Sequence, residues 1–205
     1  MLTATHHPIV YPFFRHYTEY LLRRHFGKVR SVGDFEDRGL PILLIANHVG
    51  WWDGFWAMHL RNKVFKRKFH FMMREDQLLR YRFFNRTGGF SVNKGSREVL
   101  KTLAYTSQLL DDKRNMVLIY PQGRLQSLYR KEFVFEKGIE RLVDGRQSKL
   151  HIVLSANMID YLADKKPSVT MYIRDYWGTL SRAELERGYN DFYADCLRTQ
   201  TNIEG

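Results

Sequence analysis

The fold of this chain is restricted most strongly by two short apolar runs. Residues 42–46 (Ile-Leu-Leu-Ile-Ala) and 116–120 (Met-Val-Leu-Ile-Tyr) are both continuous and apolar. Runs of this length are typical of strands that are buried on both faces of a sheet. Each run ends abruptly in a polar turn that carries a glycine, Asn-His-Val-Gly after the first and Pro-Gln-Gly-Arg after the second. The sequence therefore predicts two buried strands, each followed by a polar turn.

Strands and helices alternate along the chain. Further strands are predicted at 69–73, 90–92 and 151–154, and helices at 9–26, 51–60, 138–143 and near the C-terminus. Another helix is predicted to carry Val99, Leu100, Leu103 and Leu110 on one side. This alternation predicts an α/β fold, a single domain with a largely parallel central sheet flanked by helices.

The N-terminal segment mixes aromatic and basic residues at helical spacing, which predicts an amphipathic helix. Such a helix can lie on a membrane or pack on the core, and the pattern leaves both interpretations open. We expect residues 1–30 to form this amphipathic or interfacial helix. Residues 31–205 contain no repeat and no linker-like segment, so we expect them to form one domain.

Composition excludes several classes of protein. Cys196 is the only cysteine, which excludes an internal disulfide and a cysteine-based zinc site. No run reaches the ~18 apolar residues of a membrane-spanning helix, and the first residues lack a secretory pattern. We therefore expect a cytoplasmic protein, either soluble or peripheral on the cytoplasmic face of the membrane.

The net charge of +11 is concentrated in one segment. Residues 61–101 contain twelve Lys and Arg against three acidic residues. The segment either forms an ordinary solvated surface or faces an anion, and we favour the second interpretation. The phosphates of coenzyme A, an acidic carrier protein and an anionic membrane are the candidate anions.

His48 and Asp53 form the candidate catalytic pair. On one continuous helix, five residues would place the two side chains roughly 140° apart. A turn at Gly50 can bring the carboxylate back to the imidazole, which would fix the tautomer of a general base. If the two buried strands are parallel, their turns meet at one sheet edge and add Gln122, Gly123 and Arg124 to the site. The pair alone fits a structural histidine as well.

The order of the motifs resembles the glycerolipid acyltransferase family, which includes glycerol-3-phosphate and 1-acylglycerol-3-phosphate acyltransferases. The similar segments are 47–53 (Asn-His-Val-Gly-Trp-Trp-Asp), 88–94 (Gly-Gly-Phe-Ser-Val-Asn-Lys), 120–124 (Tyr-Pro-Gln-Gly-Arg), 135–138 (Phe-Glu-Lys-Gly) and 152–154 (Ile-Val-Leu). The chain departs from the family pattern at Lys94 (usually Arg), Gln122 (usually Glu), Arg124-Leu125 (usually Thr-Arg) and Leu154 (usually Pro).

The resemblance implies a reaction and a set of site residues. An acyl group would pass from acyl-CoA or acyl-carrier protein to a hydroxyl of a lysophosphatidic acid-like acceptor, with His48 as base and Asp53 orienting it. The implied substrate-binding residues are Asn47, Gly89, Lys94, Gln122, Gly123 and Arg124. Neither a metal nor a cofactor beyond the thioester substrate is expected. A non-glycerophosphate lipid or a small hydroxylated molecule is the alternative acceptor.

A basic protein that binds lipid or nucleic acid without catalysis is the rival from another class. Scattered aromatic and basic residues would suit nucleic acid, but the chain carries no known nucleic-acid motif. We therefore expect no nucleic acid partner and a peripheral contact with an anionic membrane. The oligomeric state stays open.

Overall fold

Seven strands form one sheet in the computed structural model, which describes residues 1–93 and 98–204. The strands are β1 (Val29–Val32), β2 (Ile42–Ala46), β3 (Lys68–Arg74), β4 (Gly89–Val92), β5 (Asn115–Ile119), β6 (His151–Asp160) and β7 (Ser168–Asp175). Their order is β1-β7-β6-β2-β5-β3-β4, and every neighbouring pair is parallel except β6 and β7. The predicted single α/β domain with a largely parallel sheet is confirmed.

Helices cover both faces of the sheet. They are α1 (Val10–His25), α2 (Asp53–Leu60), α3 (Glu75–Arg80), α4 (Glu98–Leu109), α5 (Glu140–Val143) and α6 (Arg182–Thr201). A π-helical turn, Arg61–Phe65, continues α2, and a 3-10 turn, Phe84–Arg86, precedes β4.

The apolar runs are continuous because β2 and β5 lie at the centre of the sheet. Ile42 and Leu44 pack in a cluster with the buried residues of α1 and α2. Leu43 and Ile45 face the opposite cluster, which contains the buried residues of α5 and α6. Since both faces of β2 are covered, no position along this strand is left for a polar side chain.

The N-terminal helix α1 has two different faces. Its inner face buries Phe14, Thr18 and Leu22, and the Phe14 and Phe55 rings lie 5.7 Å apart. Its outer face exposes what we call the aromatic stripe, formed by Phe13, Tyr17 and Tyr20. Only the inner face of α1 therefore packs on the core, and the aromatic stripe is exposed to solvent. Within the described ranges, no helix is both long and apolar enough to span a bilayer.

The sequence analysis missed β1 and β7. β1 is a short edge strand with three exposed residues, so it lacks the apolar pattern of a buried strand. It forms by pairing with β7, from Val29 opposite Val169 to Val32 opposite Tyr172. The predicted strand at 116–120 is shifted by one residue, because β5 ends at Ile119 and Tyr120 belongs to the following turn.

Candidate active site

The two polar turns meet at the carboxyl edge of the sheet. β2 and β5 are parallel neighbours, with Ile45 opposite Ile119, so both turns leave the sheet at the same level. The backbone N–H of Gln126 donates a hydrogen bond to the carbonyl oxygen of His48 at 2.9 Å. The predicted convergence of these turns is therefore present in the structure.

Asp53 lies directly beside His48, although the two are five residues apart. Asp53 Oδ2 is 2.6 Å from His48 Nδ1 and also accepts the N–H groups of Val49 at 2.7 Å and Gly50 at 3.0 Å. The turn at Gly50 separates β2 from α2, so the carboxylate folds back over its own turn. This is the contact that the sequence analysis expected.

These contacts fix which nitrogen of His48 carries the proton. Asp53 Oδ2 accepts two backbone N–H groups, which identifies it as a carboxylate oxygen that acts as an acceptor. His48 Nδ1 must then donate its N–H to that oxygen, and the lone pair of the neutral ring is on Nε2. His48 is 30% exposed while Asp53 is 1% exposed. The arrangement therefore presents an oriented proton acceptor, supported by a buried charge, near the protein surface.

Tyr120 fixes the plane of the imidazole. Its ring stacks on the His48 ring, with 4.1 Å between centroids and an angle of 10° between planes. The phenolic oxygen is buried and has no hydrogen-bond partner among the described residues. Burial, and then the negative charge of Asp53, raise the pKa of Tyr120 well above its usual value. Tyr120 is therefore a neutral packing partner of His48, a role that the sequence analysis did not assign.

Asn47 connects the start of the first turn to β6. Its side chain is fully buried, donates Nδ2–H to the carbonyl oxygen of Asn157 at 3.0 Å and accepts the N–H of Asn157 at 2.8 Å. Both polar ends of the amide are thereby bonded to one residue of a neighbouring strand. In this structure Asn47 holds the turn in place beside His48.

Gln122 connects the second turn to the first. Its side chain is 2% exposed, and its Nε2 lies 3.4 Å from the carbonyl oxygen of His48. A carboxylate could not donate to this carbonyl, whereas an amide can. The glutamine found here in place of the usual family glutamate therefore has a local structural reason.

The remaining predicted site residues are spread over a wider area. Gly123 has a φ of +62°, which suits glycine, and its N–H donates to the carbonyl oxygen of Tyr120 at 2.9 Å. Arg124 is exposed on the same turn. Gly89 is buried in β4, three strands from β2 and therefore roughly 14 Å away at the usual strand spacing. Lys94 lies outside the described residues.

No metal-binding cluster accompanies the pair. Across residues 1–93 and 98–204, the structure contains no group of three or more His, Cys, Asp or Glu side chains arranged to hold a metal ion.

Comparison with known proteins identifies a family and a solved structure with a similar fold. A family model described as Acyltransferase matches residues 13–158, which include all the predicted site residues. The crystal structure of the 1-acyl-sn-glycerophosphate (LPA) acyltransferase PlsC from Thermotoga maritima is similar, with a TM-score of 0.64 and 13% identity. The match covers 95% of this chain and 80% of that one, and at this identity it shows a shared fold. No curated protein matches the chain.

The buried hydroxyl of Tyr120 gives a stability test. Tyr120→Phe keeps the stacked ring and removes a hydroxyl without a partner among the described residues. We expect its free energy of unfolding to equal that of the wild type or exceed it by up to about 1 kcal/mol. Tyr120→Ala removes the ring and is expected to cost about 3 kcal/mol. Urea unfolding measures both, and a loss above about 1 kcal/mol in Tyr120→Phe would contradict this assignment.

Proposed function

The chain belongs to the acyltransferase family, and we propose that it transfers a fatty acyl group from an acyl thioester to a hydroxyl of a lipid acceptor. The observation that carries this proposal is the pairing of His48 Nδ1 with Asp53 Oδ2 at 2.6 Å, which leaves the basic lone pair on Nε2. A base in this state can accept the proton of a bound hydroxyl. The structure supplies it at the carboxyl edge of a parallel sheet, where ligands bind in such folds.

The reaction proceeds in two steps in this proposal. His48 Nε2 takes the proton of the acceptor hydroxyl while the hydroxyl oxygen forms a bond to the carbonyl carbon of the thioester. The resulting tetrahedral intermediate then breaks its carbon–sulfur bond, and the imidazolium returns the proton to the leaving sulfur. Asp53 stabilises the imidazolium between these steps, because its carboxylate is already hydrogen-bonded to Nδ1.

The negative charge of the tetrahedral intermediate needs a donor or a cation. The sequence analysis expected backbone N–H groups near Gly123 or a basic side chain. Because the N–H of Gly123 already donates to Tyr120, we infer that a basic side chain stabilises this negative charge.

The proposed acceptor is a lysophosphatidic acid-like lipid, and the proposed donor is acyl-CoA or acyl-carrier protein. Arg124 and, by the family resemblance, Lys94 supply positive charge for a phosphate group. Lys94 differs from the family pattern in residue type, and Arg124 differs from it in position along the motif. A lipid without phosphate therefore stands as the alternative acceptor.

A peripheral membrane contact at the cytoplasmic face fits the surface chemistry. The 3-10 turn beside β4 packs on α1, since the Phe14 and Phe84 rings lie 6.0 Å apart. The segment leading to this turn exposes apolar and basic side chains together, namely Leu79, Arg80, Tyr81, Arg82 and Phe83. It is connected through α3 to the carboxyl end of β3, which lies at the same sheet edge as the turn of His48.

We infer that this segment and the aromatic stripe contact an anionic bilayer together. Apolar and aromatic side chains enter the interface while arginines meet anionic headgroups. Residues 1–30 would then act as the interfacial element of the acyltransferase domain formed by residues 31–205. This arrangement would bring a membrane-bound acceptor towards His48.

Loss of the base is the first test of this mechanism. His48→Ala should reduce acyl transfer by about 10²–10⁴-fold while the unfolding transition stays cooperative. Asp53→Asn should also reduce kcat, because a neutral amide does not stabilise the imidazolium. His59→Ala is a control, because His59 lies at the far end of α2 and bonds to Glu19. More than about a tenth of wild-type activity in His48→Ala would disprove the mechanism.

The acceptor is identified by comparing two substrates in matched variants. We expect Arg124→Gln to lower kcat/KM for a phosphorylated acceptor by about tenfold or more, and to leave an acceptor without phosphate nearly unchanged. Arg130→Gln removes an exposed arginine from the same loop and should change neither. Equal losses for both acceptors in Arg124→Gln would favour the lipid without phosphate.

Vesicle binding tests the membrane contact. Binding to anionic vesicles should weaken sharply between 0.1 M and 1 M salt, as the Debye length falls from ~10 Å to ~3 Å. Arg80→Gln/Arg82→Gln and Phe13→Ser/Tyr17→Ser should each reduce binding. The control Lys165→Gln/Lys166→Gln removes two exposed charges from the turn between β6 and β7 and should not. Equal binding to neutral and anionic vesicles would rule out the electrostatic part of this contact.

A further inference from the structure

A second cationic site lies at the opposite edge of the sheet from His48. A cleft of about 570 Å³ opens at the amino ends of β3 and β5, where the N–H of Lys68 donates to the carbonyl oxygen of Arg114 at 2.7 Å. Six cationic side chains line it: Arg61, Lys66, Arg67, Lys68, Lys113 and Arg114. We call this site the basic cleft.

Most of this charge is not neutralised by the protein. Asp112 accepts hydrogen bonds from the backbone N–H, the Nε and one terminal nitrogen of Arg114, and Asp37 is paired with Arg67. The other four cations form no salt bridge among the described residues, although the charge of Lys68 helps to lower the pKa of Asp112; they are Arg61, Lys66, Lys68 and Lys113. An uncompensated group of like charges in a concave site attracts anions strongly, since the charges act on the same volume.

Arg61 is held inside the cleft rather than extended into solvent. It is half-buried, its Nε donates to the carbonyl oxygen of Arg67 at 2.5 Å, and its guanidinium lies 5.7 Å from the ring centre of Tyr11. Burial, with a further contribution from the charge of Arg15, lowers the pKa of Arg61. The cation is therefore fixed in place and costly to bury without a counter-charge.

Lys66 occupies an unusual backbone position at the mouth of the cleft. Its φ is +53°, a left-handed conformation that favours glycine or asparagine. Its N–H donates to the carbonyl oxygen of Arg61 at 2.8 Å and closes the π-helical turn. An exposed lysine thus occupies a backbone position that glycine or asparagine would adopt at a lower energetic cost.

The basic cleft is separate from the candidate active site. Arg114 immediately precedes β5 and Tyr120 immediately follows it, so the two ends are roughly 20 Å apart at the usual rise per strand residue. A group bound between Lys68 and Lys113 therefore cannot contact the oxygen and carbon atoms that react at His48.

We propose that the basic cleft binds an oligophosphate, a ligand with two or more linked phosphate groups. Four cations that form no salt bridge with the protein match several negative charges better than one. Ammonium groups donate hydrogen bonds to phosphate oxygens in many directions, and the fixed guanidinium of Arg61 adds a directional donor. The volume is in the range of small-molecule sites. Two sources share this chemistry, a free nucleoside triphosphate and the phosphorylated end of coenzyme A.

Calorimetric titration with tripolyphosphate at 0.15 M salt tests the site without turnover, so its outcome is independent of the proposed acyl transfer. We expect saturable binding to one site in the wild type. Lys68→Gln/Lys113→Gln should raise the Kd by about tenfold or more. The control Lys165→Gln/Lys166→Gln removes the same net charge from exposed positions elsewhere and should leave the Kd within about twofold.

Two results would overturn the proposal: no saturable binding in the wild type, or equal weakening in both double variants. All four lysines are exposed, so both variants should keep the wild-type melting temperature. Titrations with ATP and with coenzyme A then identify the source. Competition between coenzyme A and tripolyphosphate, lost in Lys68→Gln/Lys113→Gln, supports the site and assigns it to coenzyme A. Competition by ATP alone supports the site and assigns it to a free oligophosphate.

Discussion

A single carboxylate oxygen organises the candidate active site. Asp53 Oδ2 accepts three hydrogen bonds, from His48 and from the backbone of Val49 and Gly50. A carboxylate that is 1% exposed would be costly without such donors, because burial removes its hydration. Its position in the first turn of α2 adds the favourable field of a helix N-terminus. The same contacts that stabilise the buried charge therefore shape the turn and set the tautomer of the histidine.

The neighbouring strands hold this turn from two sides. Asn47 bonds to the backbone of Asn157 in β6, while Gln126 and Gln122 reach the carbonyl oxygen of His48 from the turn after β5. The histidine ring is stacked on Tyr120 from that same turn. Fixing both the backbone and the ring limits the reorganisation that proton transfer would require. Residues that hold the turn and the ring in position are therefore concentrated around His48.

The basic segment 61–101 is divided between two edges of the sheet. Arg61, Lys66, Arg67 and Lys68 line the basic cleft at the amino edge. Arg74, the last residue of β3, is exposed, and so are Arg80 and Arg82 further along the chain. One excess of charge along the chain thus becomes two separate surfaces, because β3 runs across the sheet between them. Segment 61–101 therefore does not form a single anion-binding face.

Much of the central fold follows from patterns that are local in the sequence. The continuous apolar runs of β2 and β5 identify buried parallel strands, and Gly50 permits the turn that joins His48 to Asp53. The edge pairing of β1 with β7, the stacking of Tyr120 on His48 and the contact of Gln122 with the first turn have no comparable local signal. Each joins residues that are far apart along the chain: 74 residues separate His48 and Gln122. Such contacts depend on strand order and on side-chain packing, which only the folded chain establishes. The basic cleft arises for the same reason, because its two groups of cations meet only when β3 and β5 become neighbours.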